Sequence, residues 1–432
     1  MLFDHDDFCL CDLICKCFFR ELTERTHQSR TVFPYNLAYV CQQWRTILSV
    51  TPEYWTKLVI FVGPNATPLD DIRSFLEWSK GLSLEVFVTR DFSSSITSDP
   101  AEPERAWTVF DILLPHFPCF TTFSFNVIHS SSLPSVMHLP LSMRDKDMTS
   151  INVFLMCAVD DGPMIAMDLP PTRASQNSEV MDFHLDGRNA LSMTLNFAST
   201  LECWGSFTMS HYTPLSFETP ISILDILQIL CSLRGLCTLK LIDLHPVLGA
   251  SYQYSLSIYS LYIEGIAFED IAFEIIERFF ILCHMEKLEV IKITRCPLDG
   301  PIEIPFTAET LILENIDSTL VSFLSDWDGT MLYVKNCTQF NDDVFALFNQ
   351  FDEDGVLWPT HLRSITIEGC PNFTISALKN MVQTRVDSNG GGEPFTPDSR
   401  RVHDITLVNC EQTITPEDEA WFSANISKFY CR

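Results

Sequence analysis

Four segments in the second half of the chain share one arrangement of aliphatic residues followed by a cysteine. In each segment Leu, Ile or Val residues predominate in a short run, and a cysteine comes three residues after the last of them. The copies are Leu288, Ile291, Ile293 and Cys296; Tyr333, Val334 and Cys337, with Thr330 off the pattern; Leu362, Ile365, Ile367 and Cys370; and Val402, Ile405, Leu407 and Cys410. Alternation with a period of two is typical of a β-strand with one buried face. The four copies therefore predict one strand-forming unit that is repeated.

This pattern resembles that of leucine-rich repeats, and the segments after Cys337 and Cys370 are similar to the cysteine-containing subclass of that family. Less regular copies are centred on Leu241, Ile263 and Leu313. The resemblance implies an α/β fold in which residues 61–432 form a degenerate leucine-rich-repeat solenoid, with parallel strands and convex-side helices. An ordinary α/β sheet whose strands end in cysteine by coincidence remains the alternative.

Helical and alternating segments also follow each other earlier in the chain. Residues 69–81 have the apolar spacing of a helix, and the alternating Leu82, Leu84, Val86 and Val88 come next. Residues 221–233 predict a second helix, again followed by an alternating run. This succession favours parallel strands joined by helices.

The stretch 36–55 carries a different signal. Leu37, Val40, Cys41, Trp44, Ile47 and Leu48 recur at helical spacing, which predicts one short amphipathic helix. Pro52 is expected to end it, because proline lacks the backbone N–H and clashes with the preceding turn. Periodicity alone is equally compatible with a helix that packs into a core.

The same stretch resembles the second half of the F-box, a small helical module of many eukaryotic proteins. The residues that match are Val40, Cys41, Trp44, Arg45, Ile47, Leu48, Thr51, Pro52 and Trp55. Leu10, Ile14 and Phe18 lie at apolar positions of the family's first helix, together with Phe19 and Leu22, whereas Cys11 stands where the family has proline. The match is most similar to the F-box proteins of mushroom-forming fungi. It implies an F-box-like helical module over residues 1–60.

The resemblance implies the function of a substrate-recognition subunit of a cullin-type (SCF) ubiquitin ligase. The F-box would bind a Skp-type adaptor, and the solenoid would bind a target protein. Outward positions on the strands are the candidates for target binding: Glu264, Lys292, Glu314, Lys335 and Glu368. The alternative is a protein-binding scaffold whose F-box has decayed and which has no ligase role, and the departure at Cys11 favours it.

Charge limits the choice of partners. The chain has 28 Lys+Arg and 56 Asp+Glu residues and a formal net charge of −28. Phosphate backbones and anionic lipids would be repelled, so we expect neither nucleic acid nor a membrane as a partner, and a target with a basic contact region. The acidic N-terminus does not predict a secretory signal, and no apolar run is long enough for a membrane helix, so we expect a cytoplasmic or nuclear protein with reduced cysteines.

Chemistry by the chain itself is not expected. His5, Cys9, Cys11, Cys15 and Cys17 are residue types that bind zinc, but their spacing fits no zinc knuckle and aliphatic residues interleave with them. The sequence has no nucleophile elbow, phosphate-binding loop or metalloprotease helix. We therefore expect no enzyme activity, no cofactor and no metal. An unrecognised enzymatic, redox or metal site remains a further alternative.

Overall fold

The computed structural model of the protein describes residues 34–90, 99–141, 150–161, 178–193, 198, 201–214, 220–248, 259–285, 287–298, 300, 308–351, 357–388 and 401–432. Two compact units divide the chain, Met1–Ser192 and Met193–Arg432. The prediction of a separate module over residues 1–60 stays a prediction, because its first 33 residues lie outside the described ranges.

In the described part of the first unit, five parallel strands lie side by side in chain order. The strands are β1 (Lys57–Phe61), β2 (Leu84–Thr89), β3 (Phe120–His129), β4 (Ile151–Val159) and β5 (Ser178–Asp186). The helices are α1 (Tyr35–Ala38), α2 (Gln42–Ser49), α3 (Leu69–Trp78), α4 (Glu102–Leu113) and α5 (Gly187–Ser192). Short 3-10 helices cover Pro52–Trp55, Leu114–Cys119, Ser130–Ser132 and Val136–His138.

The second unit repeats this architecture. Its strands are β6 (Leu201–Tyr212), β7 (Thr238–Leu244), β8 (Tyr259–Leu261), β9 (Gly265–Glu269), β10 (Cys283–Met285), β11 (Val290–Thr294), β12 (Thr310–Glu314), β13 (Met331–Lys335), β14 (Ser364–Glu368), β15 (Asp404–Val408) and β16 (Lys428–Cys431). Its helices are α6 (Ile223–Ser232), α7 (Phe273–Leu282), α8 (Val321–Leu324), α9 (Asp342–Leu347), α10 (Ile375–Ser388) and α11 (Pro416–Asn425). The order in the main sheet is β6-β7-β9-β11-β12-β13-β14-β15-β16, while β8 and β10 form a separate parallel pair.

The α/β prediction is confirmed, and so are several elements. The helix expected over residues 69–81 extends from Leu69 to Trp78, and the strand after it is β2. The helix expected over residues 221–233 is α6. It begins with a capping box, in which the Ser222 hydroxyl accepts the backbone N–H of Asp225 and the Asp225 carboxylate accepts that of Ser222.

One column of buried aliphatic and aromatic residues runs through the second unit at a common register. Its members are Leu241, Phe268, Ile293, Leu313, Val334, Ile367 and Leu407. Two positions predicted from the sequence are wrong. Phe268, not Ile263, holds the position between Leu241 and Ile293, since Ile263 precedes β9. In β13 the inward neighbour of Val334 is Leu332, whereas Tyr333 points outward.

The core of the second unit lies between this face and the helices. Strands β9, β12, β14 and β15 alternate between half-buried and buried residues, as expected when one face is covered. From α7, Ile276 and Phe279 are fully buried, and the ring of Phe279 meets that of Phe268 edge to face at 5.6 Å.

Candidate docking surface and neighbouring polar sites

The single helix predicted within residues 36–55 is interrupted. Helix α1 ends at Ala38, and Cys41 adopts an extended conformation, with φ −161° and ψ 167°, before α2 begins at Gln42. The Arg45 side chain bridges the break, because its Nε donates to the Ala38 carbonyl at 3.2 Å. As expected, α2 ends at Ser49, ahead of Pro52, but Pro52 then begins a 3-10 helix.

Two aromatic residues, the buried Trp55 and the half-buried Tyr35, attach this segment to α3 and to β1. The Trp55 indole stacks on Phe75 with ring centroids 4.7 Å apart, and its Nε1 donates to the Leu48 carbonyl at 2.8 Å. The Tyr35 hydroxyl donates to the Lys57 carbonyl at 3.3 Å and accepts the Val59 N–H at 2.8 Å. Tyr35 thus satisfies backbone groups on the outer edge of β1, and its burial raises its pKa above the usual value.

Most of the apolar residues of α2 and its flanks face solvent. Val40 is 63% exposed, Trp44 44% and Ile47 45%, and Tyr39 and Val50 are exposed as well. We call these five residues the apolar patch. Trp44 and Ile47 are three residues apart on α2 and therefore share one face of that helix. Leu48 is the buried residue of α2 and attaches this helix to the rest of the first unit.

The predicted adaptor-binding residues therefore separate into groups. Val40, Cys41, Trp44 and Ile47 are exposed, Leu37 and Pro52 are half-buried, and Trp55 is completely buried. Leu10, Ile14 and Phe18 lie outside the described residues. The exposed members are available to a partner, whereas Trp55 acts in the fold. Tyr39 and Val50 were missed by the sequence analysis, although both adjoin the matched motif.

Four of the five candidate target-binding residues pair with each other. Lys292 Nζ lies 2.9 Å from Glu314 Oε2, and Lys335 Nζ lies 2.9 Å from Glu368 Oε1. A third pair of the same kind joins Lys240 and Glu269 at 2.6 Å. These side chains project from the outward face of neighbouring strands, so the face is a row of neutralised pairs.

The pKa values of the paired groups follow from these contacts. Hydrogen bonds from Tyr333 and Lys335 lower the pKa of Glu368. Burial alone would raise the pKa of Glu269, but hydrogen bonds from Lys240 and Arg295 outweigh it and lower the pKa. Glu368 and Glu269 therefore stay ionised and paired at neutral pH. Glu264, the fifth candidate, is not on a strand; it is exposed just before β9.

A left-handed residue follows each of six successive strands, and the sequence analysis did not identify this feature. The residues are Asp270, Arg295, Asn315, Asn336, Gly369 and Asn409, with φ between 51° and 62°. Each donates its N–H to a carbonyl at the end of the next strand along the sheet, except Asn409, which donates to Arg432. Gly, Asn and Asp tolerate this backbone conformation best, so the signal was present in the sequence. Arg295 does not belong to these residue types, and its guanidinium group forms ion pairs with Asp270 and Glu269.

The cysteines of the repeated pattern occupy equivalent positions, as predicted. Cys296, Cys337 and Cys370 are buried, Cys410 is half-buried, and none of them is in a disulfide. The Cys370 Sγ accepts the Cys337 N–H at 3.4 Å, and the Cys296 Sγ accepts the Ile271 N–H at 3.3 Å. Burial raises the pKa of Cys370 to about 12, so these thiols are neutral structural groups and poor nucleophiles.

A buried polar cluster lies at the carboxyl ends of β3, β4 and β5. Asp186 Oδ1 accepts the backbone N–H groups of Arg188 and Asn189 at 3.0 and 3.2 Å. Asp186 Oδ2 is buried without a hydrogen-bond partner among the described residues. Asp160 pairs with Arg188, and Asp161 accepts hydrogen bonds from Ser131. Burial raises the pKa of Asp186 to about 6, and Asp160 adds to the rise.

The described residues contain no group of three or more His, Cys, Asp or Glu side chains placed to hold a metal ion. Among their helices, none is both long and apolar enough to cross a membrane. The predicted His5 and Cys9–Cys17 cluster lies outside the described residues.

Comparison with known proteins does not assign the chain to a family. No protein-family model matches the chain. A search of curated protein sequences finds no match either.

Proposed function

We propose that this protein is the substrate-recognition subunit of a cullin-type ubiquitin ligase. In this proposal the apolar patch belongs to an F-box-like module over residues 1–60 that binds a Skp-type adaptor. The strands from residue 61 onward form a degenerate leucine-rich-repeat solenoid that holds a target protein. The chain performs no chemistry itself. It brings target lysines close to an activated ubiquitin on another subunit and so raises their effective concentration.

The observation that carries the proposal is the exposure of Val40, Trp44 and Ile47 on a firmly attached segment. A helix that only packs into a core would bury these residues, as α2 does with Leu48. Exposed apolar clusters on a folded surface mark interaction sites, and tryptophan is prominent among residues that dominate binding energy. The attachment through Trp55 and Tyr35 holds the patch in a defined position, which lowers the entropy lost on binding.

The solenoid part of the proposal is supported by the common register of β7, β9 and β11 to β15. A buried column residue and an N–H hydrogen bond to the following strand recur from repeat to repeat. Each repeat thus buries its apolar face mainly against neighbouring repeats, which is the principle on which repeat proteins are built.

A pull-down with purified full-length protein and a purified Skp-type adaptor tests the proposal. The variant Trp44→Ser with Ile47→Ser should lower the adaptor affinity by about tenfold or more, since aromatic anchors usually dominate such interfaces. Because both residues are exposed, the fold should be retained. Leu82→Ser with Met181→Ser is the matched control, for these side chains are 39% and 44% exposed in the same unit.

Unchanged adaptor binding by the Trp44/Ile47 variant would contradict the assignment of the patch. Failure of the wild-type protein to bind any Skp-type adaptor would favour the alternative, a binding scaffold without a ligase role.

A further inference from the structure

A cleft of about 410 Å³ lies in the second unit, between the end of α6 and the segment that joins β8 to β9. Its floor is apolar and buried, with Leu233, Leu236, Leu261 and Ile263. Its rim carries exposed polar side chains, among them Arg234, Glu264 and Lys287. The open rim means that an occupant would lie along the cleft with one side in solvent.

Arg234 and Lys287 differ from the cations on the strand face. Lys240, Lys292 and Lys335 are each neutralised by a carboxylate on a neighbouring strand. Neither Arg234 nor Lys287 forms an ion pair with any residue that the structure describes. Among the described residues, two cations outside any ion pair therefore border one apolar cleft, together with the single carboxylate of Glu264, in a chain whose formal net charge is −28.

The Cys231 thiol of the cleft does not cancel this charge. Burial raises the pKa of Cys231 to about 11, and its thiol contacts the Ser260 carbonyl oxygen at 3.6 Å. This thiol is therefore neutral at pH 7 and a poor nucleophile.

We infer that this cleft binds a peptide segment of a partner protein in which a carboxylate side chain lies beside an aliphatic one. The carboxylate would contact Arg234 and Lys287, and guanidinium groups bind carboxylates through two parallel hydrogen bonds. The aliphatic side chain would cover the floor at Leu236 and Ile263. Glu264 on the rim would favour a basic residue elsewhere in the peptide.

The overall negative charge does not oppose this binding. Solvent-exposed charges are largely screened beyond about 8 Å at physiological ionic strength, so the local potential depends on the charges of the rim, where the two cations outnumber Glu264. Acidic segments would be repelled from most other parts of the surface, which makes the cleft selective. The inference rests on the proposed function only in assigning the peptide to a ligase target.

Selection from a random heptapeptide library on the full-length protein tests the inference. We expect selected peptides to be enriched in Asp or Glu next to Leu, Ile, Val or Met. Fluorescein-labelled copies should bind more weakly as salt is raised. The variant Arg234→Glu with Lys287→Glu should weaken their binding by at least about tenfold, since two attractive contacts become repulsive.

Arg401→Glu with Lys428→Glu is the matched control, because both residues are exposed cations of the same unit, and it should bind like the wild type. Arg234→Gln with Lys287→Gln removes both positive charges without adding negative ones. If charge reversal disturbs folding, the peptide affinity of this neutral variant tests the inference. Absence of enrichment, selection of basic or purely apolar peptides, or full binding by both Arg234/Lys287 variants would overturn the inference. Adaptor binding by the same variants should be unchanged, so failure at the cleft is distinguished from failure of the proposed function.

Discussion

Replacing Asp186 by asparagine should stabilise the first unit at neutral pH. The carboxyl group is completely buried, Oδ2 has no hydrogen-bond partner among the described residues, and Asp160 lies nearby. Its pKa is raised from 3.8 to about 6 in the folded protein. That rise of about 2 pKa units means that ionised Asp186 destabilises the fold by about 3 kcal/mol. Asparagine keeps an oxygen that can accept the N–H groups of Arg188 and Asn189 and carries no charge.

The net gain should be smaller than this, about 1 kcal/mol, because the asparagine Nδ2 at the Oδ2 position carries two buried N–H groups without an acceptor among the described residues, and each costs about 1 kcal/mol. The pH dependence has a defined sign. The folded state binds the proton more tightly than the unfolded state, so wild-type stability falls as pH rises from about 4 to 6 and is constant above that range. The advantage of Asp186→Asn should therefore be complete at pH 7.5 and disappear near pH 4.

Hydrogen exchange measured by mass spectrometry on peptides from β3, β4 and β5 reports the opening free energy of this unit at each pH, once intrinsic exchange rates are corrected. Asp111→Asn is the control, because Asp111 is exposed on α4, and it should change nothing. Slower exchange in the variant at pH 7.5 is the expected result. Faster exchange than in the wild type at pH 7.5, or an equal difference at pH 4 and pH 7.5, would refute the argument from burial.

Three further comparisons of variants test the burial of Trp55, the backbone conformation at Asn409 and the Lys292–Glu314 ion pair. Trp55→Ala should lower the unfolding free energy of the first unit by about 3–5 kcal/mol, whereas Trp44→Ala should change it by about 0.5 kcal/mol or less. Urea denaturation compares the two variants, and equal urea midpoints would contradict the assigned burial of Trp55. Asn409→Ala should cost about 1–2 kcal/mol because φ is +51°, while Asn409→Gly should be nearly neutral; thermal melts compare the two. Lys292→Glu and Glu314→Lys should each destabilise by up to about 1 kcal/mol, and the double exchange should restore stability in a double-mutant cycle.

Local sequence patterns are sufficient to predict the kinds of elements and much of their order. Helical spacing located α3 and α6, and alternation located β2, β7, β11, β14 and β15 within a few residues. The cysteine pattern placed Cys296, Cys337, Cys370 and Cys410 correctly at equivalent positions. These signals depend on which face of a short segment is buried, and that information is local.

The register of β9 was decided only by tertiary structure. Leu261 and Ile263 alternate just as Ile266 and Phe268 do, and all four are buried. Pattern alone therefore does not distinguish the two alignments. Hydrogen bonding to β7 and β11 selects Ile266 and Phe268 for the main sheet, while Leu261 is assigned to the small β8–β10 pair.

The properties of the candidate sites were likewise decided by contacts between residues distant in the chain. Helical periodicity is the same whether Trp44 faces a core or solvent, and only the attachment through Leu48, Trp55 and Tyr35 shows that it faces solvent. In the sequence Lys292 and Glu314 are distant, and no local pattern predicts their pairing. The ion pair forms because β11 and β12 are adjacent in the sheet. Asp186 becomes a buried carboxyl group only because the ends of three strands meet around it, since burial and pairing are properties of the assembled fold and not of any one segment.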